Sequence, residues 1–401
     1  MRKIYLDNSA TTSVDKKVLK AMKKYWTKNF GNPSSIHSMG VKAKNVLIKS
    51  REKIAGFIGA HSREIIFTSG GTEANNLAIF GLVKRLLNGG KKISEIHLIT
   101  TNIEHSSILE CFKDLEGQGA KIDYLKVGAD GLVDPKDLRE LIKPETVLVS
   151  VGHANSEIGV IQPVKEIIKE IRHSRKEFGR EKNSLPYFHI DASQSAQYFD
   201  LKVEELGADM MTLDAQKMYG PKGVGALFVR DGVSIASIIL GGGQEDGMRA
   251  GTENISLIVG FAKAFEIVEK IKIKEGKRVA SIRDEFFGKA KKFIPEIIFN
   301  GDLENRFPNN INISIPGQDG EMLVLRLDGA GIICSSASAC ASGSGESYVV
   351  KNIAKASGLT EEEINKRSKS TLRFSIGRQT KKKDIDFLLK KLRKIVGIAV
   401  I

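Results

Sequence analysis

Short apolar runs of strand length alternate with amphipathic helical stretches between residues 64 and 229, and this alternation constrains the fold more than any other feature of the sequence. The strand-like runs are EIIFT (64–68), IHLIT (96–100), TVLVS (146–150), YFHI (187–190), DMMTL (209–213) and GALFV (225–229). Helical patterns over residues 73–87, 106–118 and 163–175 separate the earlier runs. Such alternation favours a mostly parallel sheet covered by helices, so the sequence predicts an α/β fold.

The order of elements changes after about residue 260. A long charged helical stretch is followed by the strand-like run NINISI, a helical stretch that begins at Gly320, and the strand-like run TLRFS. We therefore expect a second, smaller α+β domain. The 401 residues, of which 41% are hydrophobic, are sufficient for two hydrophobic cores.

Cysteine, histidine and lysine usage argues against several kinds of site. Three cysteines at distant positions do not form a disulfide framework or a cysteine-based zinc site, and the scattered histidines lack metal-ligand spacing. The formal charge of +14 is spread over helical stretches such as 15–26 and 163–178, which indicates solvated helix faces rather than direct nucleic-acid binding. A modest attraction to acidic partner proteins or to tRNA stays open.

Membrane insertion and secretion are not expected. No apolar stretch approaches the roughly 20 residues that a membrane-spanning helix needs. The first seven residues lack the apolar core of a secretory signal. We therefore expect a cytoplasmic protein.

Cys340 lies at the centre of SSASACASGSG (335–345), a run of small residues without apolar periodicity. Such a run cannot build a core and predicts a mobile loop that presents a thiol. The alternative is a serine-rich linker that holds an incidental cysteine. Cys334 follows the apolar residues GII and is expected to end a strand, and Cys111 is expected to be a structural helix residue.

Polar residues follow the predicted strands, at the place where an open α/β sheet binds its ligands. After EIIFT comes SGGTEANN, a glycine turn whose backbone amides and Thr72 suit a phosphate at a helix N-terminus. A single polar residue after a strand is usually a turn or a helix cap. Clusters at successive strand ends are harder to explain in that way, and they contain His105, His153, Asn155, Ser156, Asp191 and Gln194.

Lys217 lies between DMMTL and a glycine-rich turn that leads into GALFV. A lysine in an apolar context commonly extends its amine to solvent. Together with a carboxylate on another strand, a histidine and a phosphate turn, however, it completes the requirements of a pyridoxal phosphate site. The lysine bonds to the cofactor, the carboxylate keeps the ring nitrogen protonated, and amides and hydroxyls hold the phosphate.

Segments spread over nearly the whole chain resemble the cysteine desulfurases, which belong to the fold-type I, class V group of pyridoxal phosphate enzymes. They are YLDNSATT (5–12), FGNPSSIHSMG (30–40), FTSGGTEANNLA (67–78), HANSEIGVIQP (153–163), HIDASQS (189–195), KMYGPKGVGAL (217–227), GGGQEDGMRAGT (241–252), SSASACAS (335–342) and LRFSIGRQT (372–380). The resemblance implies a large domain (14–260) with a mostly parallel seven-stranded sheet. It also implies a smaller α+β domain (1–13 and 261–401) that carries the Cys340 loop.

The resemblance implies roles around the cofactor ring. Lys217 is expected to bond to pyridoxal phosphate and later to carry a proton, and His105 to stack on the ring and assist proton transfer. Asp191 resembles the partner of the ring nitrogen, and Gln194 the donor to the ring hydroxyl. Ser156, where relatives have asparagine, is expected near the ring.

Further roles concern the phosphate and the substrate. Gly71 and Thr72 are expected to hold the phosphate from one subunit and Thr252 to reach the phosphate of the other, so a homodimer is implied. Arg373 matches the arginine that binds the substrate carboxylate, for which a bidentate guanidinium is well shaped. Asn155 is expected beside the substrate.

The activity implied is removal of sulfur from L-cysteine, giving L-alanine and a persulfide on Cys340. Such attack needs a thiolate on a loop free to reach an acceptor. The expected acceptor is a protein such as an iron–sulfur scaffold or a tRNA-thiolating enzyme. No resident metal is expected, apart from a transient iron–sulfur contact through Cys340. Alternatives are a selenocysteine lyase, a transaminase of the same class, or a catalytically idle sulfur-handling protein.

Asp214 and Gln216 depart from the family pattern, in which a serine or threonine and a histidine face the phosphate. Glutamine can donate to a phosphate, but an ionised aspartate beside a phosphate dianion is repulsive. We therefore expect Asp214 to turn away toward a backbone amide, with the phosphate held more by Thr72, Gln216 and Thr252.

Overall fold

The computed structural model describes residues 3–181, 183–336 and 345–397, and these ranges contain twelve strands and twelve α-helices. The strands are β1 (Ile4–Tyr5), β2 (Ile65–Thr68), β3 (His97–Thr101), β4 (Lys121–Leu125), β5 (Thr146–Gly152), β6 (Tyr187–Asp191), β7 (Met210–Asp214), β8 (Gly225–Val229), β9 (Ile298–Phe299), β10 (Asn310–Ser314), β11 (Ile332–Ile333) and β12 (Thr371–Ser375). The helices are α1 (Lys16–Thr27), α2 (Ser38–Ile58), α3 (Gly71–Asn88), α4 (Ser106–Gly117), α5 (Pro135–Leu141), α6 (Val164–Glu177), α7 (Val203–Leu206), α8 (Ile255–Phe293), α9 (Gly320–Gly329), α10 (Tyr348–Ala356), α11 (Glu361–Lys369) and α12 (Lys382–Ile395).

Seven strands form the large sheet in the order β2-β8-β7-β6-β5-β3-β4. The pairs from β7 across to β4 are parallel, and β8 runs antiparallel to both β7 and β2. The predicted α/β fold and mostly parallel seven-stranded sheet are therefore confirmed. The apolar runs predict six of these strands but not β4, because in this edge strand only Leu125 is buried and the other side chains are exposed or half-buried.

The strands of the large sheet are apolar on both faces because a hydrophobic core covers each face. Successive side chains of a strand point to opposite faces, so Leu98 packs in one core and Ile99 in the other. Ile66 and Phe67 divide in the same way. This two-sided burial explains the continuous apolar runs that the sequence displays.

A third core lies around an antiparallel sheet of order β12-β10-β9. The amino-terminal segment joins this core, since β1 pairs in parallel with β11 and Leu6 is fully buried there. Helix α8 contributes to two of the three cores, with Val268 in one core of the large sheet and Val279 in the third core. Division into residues 14–260 and residues 1–13 with 261–401 stays a prediction, and α8 crosses that boundary.

Cys111 and Cys334 are buried. Burial raises the pKa of each thiol to about 12. Cys111 lies on α4 and its thiol donates to the Ser107 carbonyl, while Cys334 directly follows β11. Both expectations for these cysteines are confirmed. Cys340 lies outside the described residues.

Candidate active site

The carboxyl ends of β3, β5, β6 and β7 and the start of α3 enclose a cavity of about 210 Å³. This is the edge at which parallel α/β sheets bind ligands. Most of the site residues predicted from sequence line it, namely Gly71, Thr72, His105, Asn155, Ser156, Asp191, Gln194, Asp214, Gln216, Lys217 and Arg373. These residues are far apart in the sequence. They meet because the strands that precede them are neighbours in the sheet.

Three other residues that the sequence singles out, Thr252, Cys340 and His153, are not among the described residues that line this cavity. Thr252 is exposed and lines another cavity, together with Ser69 and Arg249. Cys340 falls outside the described ranges. His153 follows β5 but is buried against the edge of Phe199, and burial lowers its pKa to about 4. His153 is therefore a neutral core residue rather than part of the cavity wall.

Lys217 lies in the turn that follows β7. Its Nζ donates hydrogen bonds to the carbonyl oxygens of Ser9 and Ala10, both at 2.8 Å. The same amino-terminal segment holds the turn, because Thr12 Oγ1 donates to the Gln216 carbonyl at 2.7 Å. The sequence motif YLDNSATT therefore binds Lys217 through the backbone carbonyls of Ser9 and Ala10 and holds the turn through the hydroxyl of Thr12, roles that the sequence did not reveal.

Asp191 ends β6, and both of its carboxylate oxygens accept hydrogen bonds. Asn75 Nδ2 donates to Oδ2 and the Ser193 amide donates to Oδ1, each at 2.9 Å. Asn75 Nδ2 also donates to Ser107 Oγ at 2.8 Å. These contacts orient the carboxylate at the cavity wall. Asn75, Ser107 and Ser193 were not recognised as site residues, although all three occur in or beside the quoted motifs.

His105 caps α4 through its ring. Nδ1 accepts from the Ser107 amide at 3.1 Å and lies 2.8 Å from Ser107 Oγ. Because Nδ1 is an acceptor, the neutral ring carries its proton on Nε2. The imidazole thus has a defined tautomer and orientation at the cavity.

Glu104, immediately before His105, is a buried titratable group that the sequence analysis missed. Its carboxylate accepts from the Gly152 amide at 2.9 Å and from Thr101 Oγ1 at 2.7 Å. Desolvation raises its pKa to about 7 against the effect of these hydrogen bonds. Glu104 therefore changes charge near neutral pH within the cavity wall.

The first turn of α3 forms a small anion cradle. Gly70 has φ 154°, which favours glycine. A Cβ on Gly71 would lie 2.9 Å from Ser193 Oγ, so a side chain there would fill the cradle. Amides at a helix N-terminus bind phosphate groups, and the predicted phosphate turn has a suitable shape for one.

Asp214 ends β7 at this cradle and is 5% exposed. Its Oδ1 accepts from the Gln216 amide at 3.2 Å and its Oδ2 from Gln216 Nε2 at 3.1 Å. Burial raises the pKa of this carboxyl, opposed by Lys217 and by the donors of Gln216 and Gly71. Asp214 thus accepts from a backbone amide as expected, but it does not leave the phosphate turn.

Arg373 reaches the cavity from β12 and is 2% exposed. Its Nη2 donates to Asp7 Oδ1 at 2.9 Å and its Nη1 to the Ser156 carbonyl at 3.3 Å. Backbone hydrogen bonds pair Arg373 with Ser335, the first residue of the run that contains Cys340. Arg373 Nε is buried without a hydrogen-bond partner in the described part of the chain.

Asn155 and Gln194 are engaged with the backbone. Asn155 Nδ2 donates to the Ile103 carbonyl at 2.8 Å, and its Oδ1 accepts from the Glu157 amide at 2.9 Å. Gln194 Nε2 donates to the Ser9 carbonyl at 2.9 Å. Both residues shape the cavity wall, while direct contacts of either with substrate or cofactor stay predictions.

The sequence profile described as "Aminotransferase class-V" matches residues 4–388 of the chain. The chain belongs to this family. The IscS cysteine desulfurase of Dictyoglomus turgidum is 42% identical over 396 residues, covering 98% of this chain and 95% of that protein. Cysteine desulfurase IscS 1 of Archaeoglobus fulgidus is also 42% identical, over 392 residues, covering 98% and 96%.

Solved structures agree with this class-V assignment. A NifS-like protein superimposes with a TM-score of 0.87 at 32% identity, covering 99% of this chain and all of that chain. A structure described as SspA in complex with cysteine gives a TM-score of 0.75 at 34% identity, covering 93% and 98%. The predicted resemblance to cysteine desulfurases and the fold-type I architecture are therefore confirmed.

Class-V enzymes use pyridoxal phosphate, and the cavity of this class-V chain has groups that fit it. An amine, an oriented carboxylate on a separate strand, an imidazole and a glycine cradle meet at one sheet edge. Lys217, Asp191, His105 and Gly71 supply them. The Asp214 carboxylate does not fit a bound phosphate in its ionised form, because it lies at the cradle and would repel the phosphate charge.

Within the described ranges, no group of three or more His, Cys, Asp or Glu side chains is placed to hold a metal ion. No helix in these ranges is long and apolar enough to cross a bilayer.

Proposed function

We propose that this class-V chain acts as a cysteine desulfurase through pyridoxal phosphate in the cavity around Lys217, releasing L-alanine from L-cysteine. The observation that carries the proposal is the presence of Lys217 Nζ, the Asp191 carboxylate and the Arg373 guanidinium around one cavity. The two relatives from Dictyoglomus turgidum and Archaeoglobus fulgidus are cysteine desulfurases, which supports L-cysteine as the substrate.

Pyridoxal phosphate, when bound, supplies an electron sink for cleavage of bonds at the amino acid's carbon atoms. Asp191 would hold the protonated ring nitrogen. Hydrogen bonds from Asn75 and from the Ser193 amide already fix the orientation of its carboxylate. Gly71 and Thr72 would hold the phosphate. Lys217 Nζ would form the covalent link and then carry a proton, starting from its position against two backbone carbonyls.

Arg373 would bind the substrate carboxylate. Its Nε is the donor left without a partner among the described residues, and Nη2 is shared between Asp7 and Ser335. A guanidinium pairs with a carboxylate through two parallel hydrogen bonds. The buried position of Arg373 therefore orients the amino acid and excludes water from one side of it.

Cys340 would accept the sulfur. The Cys340 thiolate attacks the substrate sulfur, an S–S bond forms, and the substrate's C–S bond breaks with its electron pair left on the three-carbon fragment. That fragment gains a proton and leaves as L-alanine, and Cys340 holds the persulfide. The burial of Cys111 and Cys334, whose pKa values are about 12, supports Cys340 for this role, since only a thiolate is an effective nucleophile.

We propose that the chain works as a cytoplasmic homodimer. Thr252 is exposed and does not line this chain's own cavity, as expected if it serves the phosphate of a second subunit. Leu240, beside the same glycine run, is 79% exposed, which suits a subunit contact. Light scattering coupled to gel filtration tests the dimer.

The protein that accepts sulfur from Cys340 is proposed to be an iron–sulfur scaffold or a tRNA-thiolating enzyme.

The test of the activity is release of alanine and sulfide from L-cysteine, measured with and without a reductant for the wild type and for Cys340→Ala. The proposal requires both products from the wild type and loss of sulfur release in the variant. Alanine formation that does not depend on Cys340 would remove the persulfide step and favour a selenocysteine lyase or another class-V reaction. Absence of any bound cofactor would favour an idle sulfur-handling protein.

A further inference from the structure

The carboxylate of Asp214 lies where the cofactor's phosphate is expected. It ends β7, lines the cavity and is 5% exposed. A Cβ on Gly71, the first residue of α3, would be 3.4 Å from Asp214 Oδ2. A helix N-terminus attracts anions. In this chain the anion at that position is a side chain of the protein itself.

Asp214 uses hydrogen-bond donors that a phosphate would use. The Gln216 amide and Gln216 Nε2 each donate to the carboxylate, and the Gly71 amide acts on it as a third donor. Thr11 Oγ1 donates to Gln216 Oε1 at 3.3 Å, which keeps the Nε2 end of that side chain toward Asp214. The carboxylate thus accepts from donors that lie at the predicted phosphate turn.

The charged groups around Asp214 do not neutralise a phosphate in addition to its carboxylate. Lys217 is the charged group that acts on Asp214 in favour of its ionised form, while burial acts against that form. The other titratable or charged groups around the cavity or the first turn of α3 are Asp191 at the end of β6, Glu104 and His105 after β3, Glu157, Tyr348, Arg373, which pairs with Asp7, and Glu73, which pairs with Arg249. An ionised carboxylate beside a phosphate dianion would therefore be strongly repelled.

We propose that Asp214 takes up one proton from solvent when the cofactor's phosphate binds, so that its carboxyl group donates a hydrogen bond to a phosphate oxygen. This inference rests on the proposed use of pyridoxal phosphate. Before binding, the carboxylate carries one negative charge; afterwards it is neutral, and no other bond changes.

Proton uptake makes the phosphate affinity depend on pH. When binding requires one proton, the dissociation constant rises by about tenfold for each pH unit in the range where free Asp214 is ionised. Asparagine at this position has no charge and can donate through Nδ2. Asp214→Asn should therefore bind the phosphate group without proton uptake and with higher affinity at alkaline pH.

The experiment measures binding of pyridoxamine 5′-phosphate to apoprotein prepared from the full-length holoenzyme. This probe cannot bond covalently to Lys217, so the result does not include the covalent step. Calorimetry in two buffers of different ionisation enthalpy counts the protons taken up. Measurements between pH 7.5 and 9 avoid the phosphate's own ionisation, which is centred at about pH 6. Pyridoxamine without phosphate is the ligand control.

The wild type should take up about one proton more than Asp214→Asn, and its dissociation constant should rise with pH more steeply than that of the variant, by about one further factor of ten per pH unit. Pyridoxamine should not distinguish the two proteins. Asp137→Asn, at an exposed position on α5, should behave as the wild type. Asp214→Ser provides a second neutral variant if the asparagine protein does not fold.

Two results overturn the inference. Equal proton uptake by the wild type and the neutral variants, with binding retained, shows that Asp214 stays in one protonation state; the proposed function then stands. Absence of binding by all the proteins, for pyridoxal phosphate as well as pyridoxamine 5′-phosphate, removes both the inference and the proposed function.

Discussion

The guanidinium of Arg373 binds the carboxylate of Asp7 at 2.9 Å, across 366 residues of sequence. Arg373 is 2% exposed and belongs to β12, whereas Asp7 lies two residues after β1. The pair ties the chain's beginning to the wall of the cavity. It also keeps the charge of Arg373 compensated before any substrate carboxylate arrives.

Asp7→Asn should destabilise the protein, because it leaves the buried Arg373 charge without its ionic partner. The expected loss is about 3 kcal/mol of unfolding free energy, measured by chemical denaturation. Asp231→Asn is the matched control, since the Arg63–Asp231 pair is exposed on both sides and should contribute nothing measurable. Equal stability of Asp7→Asn and the wild type would mean that Arg373 is compensated by other groups.

Lys217→Ala should lose the absorbance band of the covalently held cofactor. Turnover should fall by about 10³-fold or more, because the residue that moves the proton is gone. Lys222→Ala, five residues later and exposed, is the control and should keep both properties. Retention of the band in Lys217→Ala would identify another lysine as the covalent partner.

A single thiol per chain should react rapidly with an alkylating reagent at pH 8. Cys111 and Cys334 are buried, and pKa values of about 12 leave about one in ten thousand of each as thiolate at that pH. The labelled peptide, found by mass spectrometry, should contain Cys340. Rapid labelling of Cys340→Ala in the folded state would contradict the burial of the other two thiols.

The contribution of Glu104 to the stability of the protein should fall as the pH rises from its reference pKa of 4.5 through its folded-state pKa of about 7. Its pKa is about 7 in the folded state and 4.5 in the reference state, so the native protein holds a proton that the unfolded chain releases. Between pH 5 and pH 8 this group should remove about 2 to 3 kcal/mol. Glu104→Gln should lack that part of the pH dependence in denaturation measurements at the two pH values. An unchanged pH profile in the variant would show that Glu104 does not titrate in this range.

Gly71→Ala should weaken cofactor binding by about tenfold through the loss of one hydrogen bond to a charged group. The added methyl would meet Ser193 Oγ at 2.9 Å. The double variant Gly71→Ala/Ser193→Ala removes that oxygen and should recover part of the affinity, measured by cofactor titration. If the single variant binds as the wild type does, the cradle has more space than this contact indicates.

Much of the fold and the cavity could be predicted because local patterns encode them. The apolar runs of β3, β5 and β7 reflect burial on both faces of the sheet, and the motifs around Asp191 and Lys217 follow strand ends directly. The edge strand β4 was missed because one buried leucine leaves no apolar run. Glu104 was missed because a glutamate beside a motif histidine gives no sign of its burial.

The sequence by itself determined the family, the α/β class and the types of residue that the chemistry needs, since these depend on periodicity and on motif order. The tertiary structure alone decided that the carbonyls of Ser9 and Ala10 bind Lys217, that Asp7 compensates Arg373, and that Asp214 faces the start of α3. Such contacts join distant parts of the chain. They depend on strand order and on side-chain orientation in the packed core, which no local pattern of residues specifies.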